Sequence, residues 1–551
     1  VVYGRAVKPR HSAVRRLLSK AHNVVADRLL EKPRGLNLSS FKVLNRFVAD
    51  ALQVEQGGAV HLDGLVLGAY FLVTMAVGLA FWRRSRSVAG FTAAEGSLPG
   101  WLTGLSILGT YISSISFLAL PGRAFAGNWN PFVFSLSLPL ATWIAVKYFL
   151  PFYRNSGHVS AYAHLEERFG PWARIYASSC YLLTQFARIG TVTYLMALPM
   201  QVLLGWDIRL IIVVTGAVTT LYTFVGGIVG VIWTDAIQTI VLVGGAITCA
   251  ALMISHLPEG PEQLFTIAAQ HDKFSLGSFG AGLAEPTFWV VLIYGVVINL
   301  QNFGVDQSYV QRYHTSSSDA EARKSVWLGG LAYLPVSAVF FFIGTAMFAY
   351  YTTHPELLPE AYRDPSKSDS VFPWFIVTAL PSGITGLLIA SIFAAAMSTI
   401  SSSLNSTATI LLNDYYGRLV NRQATERQKM RVLYLTTIVV GVIGTGIGVA
   451  MISVKSALDV WWMLAGVFGG GMLGLFLLGY LSRRTNNRAA LAGVSAGVLV
   501  ILWMSLSPKW TGALAAFKSP FHGFLTIVFG TLAVVLVGLL VTAWAGPRAQ
   551  K

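Results

Sequence analysis

The sequence predicts an all-α polytopic membrane protein with about thirteen transmembrane helices, and three observations carry that reading. Of 551 residues, 54% are hydrophobic and only 12% charged, against about 25% charged in a typical soluble domain. The apolar residues gather in runs of roughly 20, the length an α-helix needs to cross a bilayer. The loops between the runs are alternately rich and poor in lysine and arginine, as the positive-inside rule requires of successive crossings.

Taken in order, the expected spans are at about 62–82, 98–121, 130–152, 174–204, 208–229, 231–256, 286–311, 326–352, 384–412, 432–454, 459–482, 489–507 and 521–545. A short apolar piece near 371–380 reads as an interfacial or re-entrant helix. With the first span running from outside to inside, the inner loops collect 19 Lys/Arg, beginning with Arg83, Arg84 and Arg86, and the outer loops 8. The N-terminus is then outside and the C-terminus cytoplasmic, in the cell (inner or plasma) membrane. Residues 1–60 run against the rule, with 11 Lys/Arg and 4 Asp/Glu. They read as a basic tail, either disordered or lying on anionic lipid. Residues 61–548 then form a single transmembrane domain.

The net charge of +16 follows from this topology and needs no nucleic acid. Cys180 and Cys249 sit in apolar runs and argue for neither a disulfide framework nor a metal site. The ten histidines are scattered. No glycine loop with a lysine, metal-spaced His/Cys cluster or serine–histidine pairing marks the chain as an enzyme.

Polar chemistry interrupts the apolar pattern in a few places. Phe393–Ser406 lies inside a span, yet nearly half of it is hydroxyl or amide. In hydrocarbon such groups need partners, so the cluster belongs in a bundle interior or at a cation site. Ala395, Ser398, Thr399 and Ser402 share one helical face, where a carbonyl and hydroxyls suit a small hard cation. In Leu105–Phe117, Gly109 and Ser113-Ser114 invite a local break whose freed carbonyls bind a cation and freed N–H groups an anion. The alternative is that these hydroxyls bond back to their own helix.

Arg188 is roughly mid-span, where an arginine faces a partner or a wet cavity. Its fork suits a carboxylate, although an internal salt bridge would also satisfy it. Few buried acids are on hand to supply one. Asp235, with Gln238 three residues on, fits a capping box and a cation ligand equally well. Asp306–Tyr313 closes the seventh span, and Arg312 there reads as a helix-end side chain snorkelling to the surface.

In their order and spacing several segments resemble the sodium:solute symporter family of sodium-coupled sugar, proline and sialic acid transporters. They are Gly109–Ser116, Ser160–Phe169 (with Ser160-Ala161-Tyr162 and Leu165-Glu166-Glu167-Arg168-Phe169), Gly226–Asp235, Asp306–Tyr313, Ala394–Ser406 and Gly469–Tyr480. Ser113–Phe117, Arg188 and Ile232–Asp235 make the chain similar to the bacterial sialic acid symporters in particular. The resemblance implies the leucine-transporter-like 5+5 inverted repeat with discontinuous helices, the first repeat at about 98–256 and the second at about 286–482.

It also implies ligands. A first sodium site would use the carbonyls of Gly109, Ile112 and Ala395 with the hydroxyls of Ser398 and Thr399. A second would use Asp235, Ser398, Ser401 and Ser402. Substrate would meet Ser113, Ser114, Ser116, Ser135 and Arg188. Ser135 stands where the sialic acid transporters have glutamine, Pro131 where they have an aromatic residue, and Ser116 where they have threonine.

The implied function is sodium-coupled import of a small polar organic solute, a carboxylate such as sialic acid, by alternating access. Na+ is the coupling ion, with one site or two. The expected partners are that solute, sodium and the lipid bilayer, with no nucleic acid, and the protein is expected to work as a monomer. The rivals are a proton-coupled symporter, a sodium-coupled sugar or monocarboxylate transporter, and a membrane solute sensor. No soluble domain is expected after residue 545, which disfavours the sensor.

Overall fold

The computed structural model describes residues 57–255, 257–453 and 457–544. The expected basic tail lies outside the described residues except for 57–60, which open the first helix. Within them helix is the only regular secondary structure, apart from one isolated bridge between Leu98 and Ser316.

After α1 (Gly57–Ala80), the second expected span appears as two helices, α2 (Gly100–Tyr111) and α3 (Ser114–Ala126), bent by 56°. The break falls where the serine-rich sequence invites it: Ile112 and Ser113 are extended, with ψ of 118° and 168°. The Ser113 hydroxyl accepts from the Ser116 N–H at 3.4 Å, capping α3. α4 (Asn130–Ser156) follows, then the short α5 (Ala163–Phe169) and α6 (Pro171–Leu204).

The fifth and sixth expected spans are merged into α7 (Ile208–Ser255), 48 residues long. At 1.5 Å per residue a straight helix of that length would be about 72 Å, more than twice the hydrocarbon thickness. Gly227 relieves this with φ +50° and ψ −155°, a conformation that only glycine adopts readily. The expected gap near residue 230 is therefore a glycine break three residues earlier.

α8 (Pro261–Gln270) precedes a second discontinuous pair, α9 (Phe288–Val305) and α10 (Gln307–Tyr313). Asp306 lies between them in an extended conformation and its carboxylate accepts the Ser308 N–H at 2.8 Å. The carbonyls freed at this break are taken by tyrosines: Tyr313 donates to Phe303 at 2.6 Å, Tyr153 to Gly304 at 2.6 Å and Tyr162 to Val305 at 2.9 Å. Every one of these groups is buried, so each bond replaces water that cannot reach the carbonyl.

α11 (Asp319–Thr353) is capped by Ser318, and α12 (Val371–Ala379) is the short apolar piece. α13 (Ile384–Ile410) continues through π turns to Val420. α14 (Glu426–Ala450) starts on a capping box formed by Thr425 and Gln428. α15 (Ala457–Leu481), α16 (Asn487–Leu506) and α17 (Leu525–Trp544) are the last of the described helices.

α13 is the centre of the bundle. Every residue from Leu388 to Ile410 is buried, with α1, α2, α6, α7 and α14 packed around it. Outer helices instead expose large apolar side chains at seven-residue intervals, as with Ile240 and Ile247 on α7 and Leu435 and Val442 on α14. Such stripes face lipid in a membrane protein and would be a liability in water.

Candidate ion and substrate site

The break in α2 and the hydroxyl face of α13 meet. Ser398 Oγ donates to the Gly109 carbonyl at 2.9 Å and lies 3.3 Å from the Ala395 carbonyl. Thr399 Oγ1 is 3.1 Å from the Ala395 carbonyl and 3.4 Å from that of Ile112. Oxygens held at roughly 2.3–2.6 Å around a hard cation stand about 3–3.7 Å from one another, so these separations suit a small ion of the size of sodium. Two residues make this approach possible. Ile112, being extended, turns its carbonyl out of the helix. Gly109 has no Cβ; one there would lie 2.5 Å from Thr239 Oγ1, so only glycine lets α2 sit this close to α7.

One turn further along α13, the hydroxyls of Ser401 and Ser402 face Asp235 from α7, at 3.3 and 3.4 Å. Asp235 is wholly buried and lies eight residues past the Gly227 break, so it is no helix cap. The capping alternative is excluded. Its partner is Arg312, whose Nη2 lies 2.8 Å from Asp235 Oδ2. Arg312 is 1% exposed, which corrects the expectation that it snorkels to the surface. α10 is only two turns long and hangs from a break inside the bundle, so its end stays inside too.

Arg312 also donates to Ser106 at 2.8 Å, to Ser402 at 2.6 Å and to the Ser308 carbonyl. Ser106 in turn donates a hydrogen bond to Asp235 at 2.7 Å, and Thr110 and Ser402 share a hydrogen bond of 3.0 Å. A buried ion pair of this kind persists only because each charge is further hydrogen-bonded. Sequence reasoning missed Ser106 and Arg312. The signal for Ser106 was its place three residues before Gly109, on the same face of α2.

The proposed substrate residues divide. Ser113 and Ser116 face each other at 3.5 Å. Tyr333 on α11 faces Ser116 and Ser337, and Ser337 accepts from Ser135 at 2.8 Å. Ser135 therefore joins the serines through two residues the sequence did not single out. Ser114 is turned toward α6, 3.4 Å from the Val192 carbonyl. One turn away on α6, Arg188 donates to the Thr110 carbonyl at 3.1 Å and faces Tyr309 and Asp306. The sequence suggested that few buried acids were on hand to pair with Arg188; Asp306, at the second break, lies within electrostatic reach of it but forms no ion pair with it.

Among the described residues no cluster of three His, Cys, Asp or Glu is placed to hold a metal ion. The oxygens that converge are mainly neutral, as suits an alkali cation rather than a transition metal.

The profile of the sodium:solute symporter family matches residues 91–497. The chain belongs to that family. The symporter is 35% identical to the sodium/sialic acid symporter NanT of Aliivibrio fischeri over 87% of its length and 92% of the relative's. It is 34% identical to the sodium/sialic acid symporter SiaT of Proteus mirabilis over 88% and 95%. Its structure is similar to the substrate-bound, outward-open state of a Na+-coupled sialic acid symporter, with TM-score 0.82, 32% identity and coverage of 89% and 99%. A lower likeness to the transporter Mhp1, TM-score 0.52 at 18% identity, speaks to the fold alone. The symporter is thus an all-helical transporter of the leucine-transporter class, embedded in the plasma membrane and coupled to sodium, and not an enzyme.

Proposed function

We propose that the symporter imports sialic acid, or a sugar acid of closely similar shape, together with two sodium ions. The observation that carries the reading is the meeting of the α2 break with Ser398 and Thr399 of α13, in a chain that resembles sialic acid symporters along most of its length. The first sodium joins Gly109, Ile112, Ala395, Ser398 and Thr399, and so links α2 to α13. That link sets Ser113, Ser114 and Ser116, at the start of α3, to receive a carboxylate on N–H and hydroxyl donors. Arg188 contacts the polar body of the solute, and Ser135 lines the far wall through Ser337 and Tyr333.

The second sodium sits with Asp235, Ser398, Ser401 and Ser402. Arg312 already holds Asp235 and Ser402, so a second cation there would share these oxygens with the guanidinium.

The halves at 98–256 and 286–482 then rock about the two broken helices, exposing the site to either side in turn. The N-terminus is outside and the C-terminus cytoplasmic, and each monomer works in the lipid bilayer on its own. One charge crossing 100 mV yields about 2.3 kcal/mol and a tenfold sodium gradient about 1.4 kcal/mol. One sodium therefore supports roughly 500-fold accumulation of a neutral solute. For a monoanion a single sodium is electrically silent, and the second restores voltage drive.

Uptake of sialic acid into proteoliposomes, with sodium or choline outside, tests the reading. Sodium-dependent uptake is expected, and uptake indifferent to the exchange would overturn it. Arg188→Ala is expected to abolish binding of acidic solutes; unaltered affinity would remove Arg188 from the pocket.

A further inference from the structure

α1 precedes both proposed repeats and carries none of the proposed ligands, yet it grips α13 at three levels. At the top, Asp63 Oδ1 accepts from the N–H groups of Gly383 and Gly386, at 2.6 and 2.7 Å. Gly383 is the N-cap of α13 and offers no side-chain cap of its own. A side chain from another helix therefore does the capping, and its negative charge lies at the positive end of the α13 dipole. A Cβ on Gly386 would come within 2.7 Å of Asp63 Cα and its carbonyl oxygen, so the approach depends on that glycine.

Two turns deeper, the rings of Phe71 and Phe393 meet edge to face at 5.2 Å. Alongside them the Tyr70 hydroxyl donates to Met397 Sδ at 3.6 Å. Met397 immediately precedes Ser398 and Thr399, and its carbonyl accepts from Tyr222 of α7 at 3.1 Å. The cap fixes where α13 lies along its axis, and the contacts at Met397 fix its rotation.

We propose that α1 is a positioning strut for the sodium-bearing helix, with Asp63 as its principal positioning residue. The inference rests on reading Ser398 and Thr399 as sodium ligands. A slip of α13 by a fraction of a turn would move both hydroxyls away from the carbonyls of Gly109 and Ile112. Loss of the strut should therefore weaken sodium selectively.

The test is sodium- and substrate-dependent uptake by Asp63→Ala, Asp63→Asn, Tyr70→Phe and Thr399→Ala proteins in proteoliposomes. Asp63→Ala should raise half-saturating sodium about five- to tenfold, while the substrate half-saturation at saturating sodium stays within about twofold. Asp63→Asn should recover most of that shift, because its amide oxygen accepts from the same two N–H groups. Wild-type sodium dependence in Asp63→Ala, beside a clear shift in Thr399→Ala, would overturn the strut alone. Wild-type dependence in Thr399→Ala would overturn the sodium-ligand reading beneath it. Should Asp63→Ala fail to reach the membrane, Tyr70→Phe decides: a twofold or greater rise in half-saturating sodium supports the strut, and no change overturns it.

Discussion

In the proposed first ion site Thr399 would contribute one hydroxyl, and serine in its place would keep that oxygen while alanine would not. Thr399→Ala is therefore expected to raise half-saturating sodium at least tenfold, the effect of losing about 1.4 kcal/mol, and Thr399→Ser to stay within about threefold. Sodium titration of uptake separates the two. Asp235→Asn keeps the shape of the second site but removes its charge. Flux ratios of labelled sodium to labelled substrate should fall from two to one, with the first site intact, and a ratio unchanged from wild type would exclude a second ion at Asp235. The meeting of hydroxyls and freed carbonyls was legible in the chain, because neutral oxygens inside an apolar run have few reasons to be there. The partners were less so. Asp235 and Arg312 are 77 residues apart, and only the Gly227 and Asp306 breaks bring their helices to the same depth. Local sequence around either residue describes a cap or a helix end equally well.

At the scale of elements, the broken helices differ in how their free carbonyls are satisfied. Those of α2 face Ser398, Thr399 and Arg188, whereas those of α9 are closed off by three tyrosines. Gly109 and the paired serines announced the first break in the sequence. The second has no such marker, since the tyrosines that stabilise it come partly from α4 and the loop before α5. His314 follows directly on α10, beyond the end of the span, and is partly buried. Burial, with the charges of Arg154 and His158 nearby, pushes its imidazole down to about 4. Its folded value lies below the ordinary 6.5, so the unfolded chain binds the extra proton between pH 6.5 and 4. Stability is accordingly complete above pH 6.5 and declines as pH falls through that window, by about 3 kcal/mol at most. Melting curves from pH 7 to 4 should show a smaller decline for His314→Gln than for wild type, and identical curves would exclude this residue as the source.

The described residues gather their polar chemistry around one central helix, α13, and leave apolar stripes on the outer ones. The apolar helices could be read from hydropathy, whereas the merging of two expected spans in α7 could not, because the Gly227 turn keeps helical hydrogen bonding on both sides. The buried Asp235–Arg312 pair has a consequence for the transport cycle as a whole. With no ion bound, the carboxylate and the guanidinium cancel, so the return stroke of the empty carrier shifts no net charge at this site. On the proposed stoichiometry, two sodium ions with a monoanion would instead carry one positive charge on the loaded stroke. Capacitive currents from oriented membranes should then appear on adding sodium and substrate together. The relaxation rate of the empty carrier should be the same at every holding potential.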